Sequence, residues 1–200
     1  MPYIQKASCQ KLNMLPGAII EGDFTPCACT APHIEDRNRG KLKFHGSCSS
    51  EEFKRLLEIT SFNSVEEGFG IQLAHGQKYI PYDTPPNLSI ITLSISPRQL
   101  DIVEDRYKRG KLRVNFTDQA GRSFRFLSIT DLGFFEYAER HASDDTIEEL
   151  NDFMHAQEEL YIRIGLGRVH QSDDGRNGFW LQVNGIYTFP EYFEEIRCYE

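Results

Sequence analysis

Four residues early in this 200-residue chain have the types and spacing to hold a metal. Cys27-Ala28-Cys29 and His45-Gly46-Ser47-Cys48 offer three thiolates and an imidazole, a donor set that suits tetrahedral zinc. Neither pair has the cysteine-knuckle spacing at both ends, so free thiols at Cys27, Cys29 and Cys48 are the competing reading. The five cysteines are odd in number, and a chain this long builds its core without staples, which favours reduced thiols. For catalysis the chain offers no nucleophile spaced with a base and no carboxylates at nuclease spacing. The expectation is a non-enzymatic protein.

A second chemistry lies in charge and rings. Between residues 98 and 125 stand Arg98, Arg106, Lys108, Arg109, Lys111, Arg113, Arg122 and Arg125, against Asp101, Glu104, Asp105 and Asp118. The following stretch, 131–160, is strongly acidic, so charge is segregated along a chain whose formal net charge is −8. That net charge excludes a protein that coats a phosphate backbone with its whole surface, and any nucleic-acid contact is local. Further on, Trp180, Tyr187, Tyr161 and Arg163 fall at strand positions that point away from aliphatic neighbours. Aromatic rings beside arginine on a sheet suit single-stranded nucleic acid, because every base has a stackable face. Arg168 sits in a polar, glycine-rich loop over 165–178 that lacks the lysine and helix of a Walker loop. The candidate nucleic-acid-binding set is therefore Lys108, Arg109, Lys111, Arg113, Tyr161, Arg163, Arg168, Trp180 and Tyr187. The competing reading makes the charged stretches solvated faces and the rings core.

The elements that must position these residues are mainly strands. Apolar and polar residues alternate over 41–45, 111–116 and 160–164, the period of half-buried strands, and 88–96 is an isoleucine-rich, more buried one. Phe179 to Phe189 reads as a hairpin turning at Asn184-Gly185, and Pro190 ends its second strand. In that register Phe179, Leu181, Val183, Ile186 and Thr188 share one face, leaving Trp180, Gln182, Tyr187 and Phe189 on the other. Capping boxes at Ser49–Glu52 and Ser96–Gln99 predict helices, the second running to Gly110, and an acidic first turn with an apolar stripe predicts a third over 144–157. Residues 131–140 add a short helical turn. Three prolines within 81–86 mark the link between an N-terminal β-rich half, 1–85, and a C-terminal half, 86–200.

On these strand patterns the chain resembles the prokaryotic dual-OB-domain family. The matching stretches are Leu88 to Ile95 leading into Ser96-Pro97, Leu112 to Phe116, Phe126 to Asp131 and Leu160 to Gly167, in that order and within 86–190. The resemblance implies a mainly β (β-rich α+β) chain of two OB-like barrels with three short helices. It also implies a role in handling nucleic acid within a bacterial defence assembly.

The expected partners are nucleic acid, single-stranded by the stacking argument, and a larger effector protein. The alternative is a subunit that docks and regulates that effector without touching nucleic acid. No stretch approaches the apolar length of a membrane span or signal peptide, so the chain is expected to be soluble and cytoplasmic.

Overall fold

The computed structural model describes residues 4–108, 110–140 and 144–197. In chain order the elements are α1 (Lys6–Lys11), β1 (Ala18–Pro26), β2 (Arg37–Ser47), α2 (Ser50–Ile59), β3 (Ser61–Phe62), α3 (Val65–Phe69) and β4 (Tyr79–Pro81). There follow β5 (Ile90–Ile95), β6 (Leu100–Glu104), β7 (Leu112–Thr117), β8 (Ser123–Ile129), α4 (Leu132–Arg140) and α5 (Asp144–His155). The chain closes with β9 (Glu159–Leu166), β10 (His170–Gln171) and β11 (Asn177–Phe189). The class is strand-rich α+β, as the alternating segments predict.

The expected barrels are absent among the described residues. β1 and β2 form a separate two-stranded ribbon, and the other nine strands form one mixed sheet in the order β3-β5-β9-β11-β8-β7-β6, with β4 and β10 added on β11. Its two ends do not pair, so the sheet is open. Strands from both sides of the proline-rich link contribute to it. The described residues hold five α-helices rather than three.

The helix predicted from Ser96 does not form. Pro97–Gln99 makes a single 3-10 turn without a side-chain cap, and the chain then enters β6. There Leu100 and Ile102 are buried while Asp101 is exposed, so period-two burial outweighs the capping signal. β6 is a sheet edge, and α5 covers it. Asn151 accepts from the Ile102 N–H at 2.7 Å and donates to the Ile102 carbonyl at 2.9 Å, completing a ladder that has no next strand. At Ser49 the sequence signal holds: its side chain and that of Glu52 form the reciprocal capping box at the start of α2.

The predicted hairpin at Asn184-Gly185 is instead one continuous strand, β11. It runs antiparallel to β9 with Val183 opposite Ile164 and Gly185 opposite Arg163, so Asn184 is an extra residue, a β-bulge. A turn and a bulge of this kind both keep Val183 and Ile186 on one side, so the predicted faces survive. Phe179, Leu181, Val183 and Ile186 join the main core with Leu93, Ile162, Ile164, Val114 and Leu127, packed against α3, α4 and α5. Each such fully buried aliphatic contributes roughly 1.5–3 kcal/mol relative to exposure.

The other sheet face is polar. One row across it reads Gly165, Gln182, Ser128 and Arg113 on successive strands. α2 closes one end of this face, where Phe53 and Leu57 pack with Tyr161, Tyr187 and Phe189. Among the described residues no helix is long and apolar enough to cross a membrane.

The bulge explains both glycines that frame it. A Cβ at Gly185 would stand 2.4 Å from the Tyr187 hydroxyl, and one at Gly165 would stand 1.9 Å from Asn184 Oδ1. Gly165→Ala is expected to cost about 1–3 kcal/mol through overpacking, read as a drop in melting temperature of roughly 2–4 °C per kcal/mol. Adding Asn184→Gly should recover part of the loss. Strictly additive costs would contradict the contact.

Candidate nucleic-acid interface

On the polar face, β11, β8, β7 and the β6–β7 connection enclose a groove of about 510 Å³. Asp105 builds its wall. The Asp105 carboxylate accepts from the Tyr107 N–H at 2.9 Å and the Lys108 N–H at 3.2 Å, and it takes Arg113 Nε at 2.7 Å. Arg113 also donates to the Ser128 hydroxyl. One buried carboxylate thus fixes both the 106–108 loop and the guanidinium on β7. The Tyr107 N–H, more than any other partner, and then Arg113 hold the Asp105 carboxyl below the usual carboxylate range.

Aromatic rings line the same groove. Trp180, half-buried, stacks on Tyr79 of β4 with ring centres 5.2 Å apart, and the Arg176 guanidinium lies 4.9 Å from the Trp180 ring and 5.6 Å from that of Tyr79. Phe126 projects into the groove because β8 is irregular there. It has a left-handed φ of 56°, and its N–H is held by Asn115 Oδ1 at 2.8 Å. A bulky residue in that conformation is strained, a cost that collects at functional sites. Arg106 sits 4.7 Å over the Phe126 ring. Tyr107, on the rim, is 98% exposed.

The charge is unbalanced. Arg113 is matched by Asp105, and Arg176 by Asp174. Lys78 donates to the Arg125 carbonyl, and neither Lys78 nor Arg106 has a carboxylate partner among the described residues. Burial, followed by the fields of Arg113 and Arg176, lowers the Lys78 pKa. Such a cluster gains free energy from an arriving anion.

Arg113 and Trp180 are thus brought together, with Lys108 in the loop beside them and Lys111 on the same hairpin. Arg109 lies outside the described residues. The other predicted residues are elsewhere. Tyr161 is on the predicted face but buried under α2, its hydroxyl donating to Glu159 at 2.9 Å, so it is core and not a stacking ring. Arg163 and Tyr187 line a separate, larger cleft, with the Tyr187 ring edge-on to Phe53. Arg168 is paired with Asp36.

The zinc set does not assemble. Cys27 and Cys29 are joined in a disulfide, against the expectation of free thiols, and His45 pairs with Glu21. No cluster of three or more metal-ligating side chains occurs among the described residues.

Sequence reading missed Lys78, Tyr79, Tyr107, Phe126 and Arg176. The adjacent Lys78-Tyr79 pair was the available signal, but only the β4–β11 pairing of Tyr79 with Trp180 brings it to the groove. Comparison of the chain with protein-family models, curated proteins and solved structures gives no match.

Asp105→Ala is expected to cost on the order of 1–3 kcal/mol, because two N–H groups and Arg113 lose their acceptor. Since the folded carboxyl titrates below its unfolded value, the contribution is whole above about pH 4 and is lost as pH falls through the lowered pKa. Denaturation of wild type and variant should therefore converge in acid. An equal gap at neutral and acid pH would contradict the assignment.

Proposed function

We propose that this chain binds single-stranded nucleic acid in the Trp180 groove and carries out no catalysis of its own. The observation that supports this most is the placement of Lys78, Arg106, Arg113 and Arg176, opposed by two carboxylates, around the stacked Trp180 and Tyr79 rings. Phosphates would pair with Lys78 and Arg106, supplying the counter-charge that the partly buried Lys78 lacks. Unstacked bases would find the exposed Tyr107 ring and, on displacement of the Arg176 guanidinium, Trp180. Rings presented this way suit single strands, because a duplex keeps its base faces covered. The strong negative net charge confines affinity to this groove.

The wider setting, an adaptor subunit in a bacterial defence assembly, is carried by the family resemblance of 86–190 alone. A subunit that docks a larger effector through the same rings is the rival reading, and salt separates the two. Phosphate contacts release counterions, whereas an apolar docking face responds weakly to ionic strength.

Fluorescence anisotropy with labelled oligo-dT should give an affinity that falls steeply and log-linearly with salt. Lys78→Ala and Arg106→Ala should each flatten the slope by about one. Trp180→Ala should weaken binding roughly tenfold to a hundredfold at fixed salt. Affinity indifferent to salt and to all three substitutions would reject the groove.

A further inference from the structure

A second cleft, of about 940 Å³, is distinct from the nucleic-acid groove. It lies between α2, the loop leading into β1, the start of α4 and the far end of the polar sheet face. Its volume is in the range of small-molecule sites, and its walls have the composition of one.

α2 carries more apolar surface than the sheet uses. Phe53 and Leu57 face the sheet, while Leu56 and Ile59 line the cleft, with Ile59 71% exposed. Ile19 from β1 and Leu132 from α4 meet them there, also exposed. Large apolar side chains gathered at one concavity mark a binding surface, where scattered ones would not.

The charges in the cleft sort in one direction. Each acid is already engaged: Glu52 in the capping box with Ser49, Asp131 with Arg197 at 3.1 Å and with the N–H groups that open α4, and Glu136 with Lys6. Arg55 and Arg163 pair with no carboxylate among the described residues, and Arg163 lines the cleft together with the Tyr187 ring. Arg55 lies one helical turn from Ile59, so a cation flanks the apolar wall. The cleft therefore offers an apolar wall and two cations that lack counter-ions.

We propose that this cleft binds a small amphipathic anion, an apolar body bearing a carboxylate, sulfonate or phosphate head. The body lies along Leu56 and Ile59, and the head is taken by Arg163 and Arg55. The site is independent of the nucleic-acid groove.

The test uses the fluorescent anion 8-anilinonaphthalene-1-sulfonate on the whole folded chain. One saturable class of sites is expected, displaced by dodecanoate and far less well by uncharged dodecanol. Arg163→Glu and Arg55→Glu should each weaken dye binding about tenfold. Ile59→Asp should weaken it as well with little change in melting temperature, because the side chain it replaces is exposed. Absence of saturable binding, or affinity unchanged in both arginine variants, would overturn the proposal. Displacement of the dye by oligo-dT would also overturn it, because the cleft would then be a continuation of the nucleic-acid groove.

Discussion

One extra residue, Asn184, decides which side chains of the central strand face the core. β11 pairs with more strands than any other element in the sheet, and a strand alternates its side chains strictly. With no bulge, burying Phe179, Leu181 and Val183 would send Ile186 to the polar side and bring Tyr187 into the core. The bulge resets the alternation, so both halves of the strand give core residues, Phe179, Leu181, Val183 and Ile186, to one face and Trp180 and Tyr187 to the other. Gly165 and Gly185 make the space it needs.

That choice creates a polar sheet face, and the helices divide it. α2 seals the end where Tyr161 and Phe189 lie and leaves the two depressions on either side of Gln182 and Asn184. The groove gathers its cations from four separated segments, and Asp105 is the counterweight that holds one of them and shapes the loop. Burial, and then two neighbouring arginines, oppose the charge on Lys78. The free energy spent in assembling that cluster is recovered when an anion enters, which ties the fold's electrostatics to the proposed binding.

Much of this fold was legible in the sequence because periodicity reports burial directly. The alternating segments at 41–45, 111–116 and 160–164 are strands, Ser49 caps a helix, and the acidic first turn and apolar stripe after 143 belong to α5. Asn184-Gly185 misled as a turn signal because a bulge and a two-residue turn draw on the same residue types; the distinction comes from the partner strand β9, which no local window contains. Ser96-Pro97 misled for a different reason: the alternating burial of Leu100 and Ile102 just after it outweighs the capping signal and dictates a strand. The face carrying Trp180 and Tyr161 was read correctly, but what covers it was not, because α2 comes from a distant part of the chain. Lys78, Tyr79 and Tyr107 went unread, each ordinary alone and significant only beside Trp180.

Trp180 is the only tryptophan in the chain, so its emission reports on the groove and on nothing else. The most direct test of the central claim is a titration of intrinsic fluorescence with an unlabelled single-stranded oligonucleotide at low salt, followed by back-titration with sodium chloride. A base stacked on the indole should quench the emission saturably, and added salt should restore it as the phosphate contacts are lost. Emission that stays unchanged while the oligonucleotide binds, or quenching that salt does not reverse, would contradict the account.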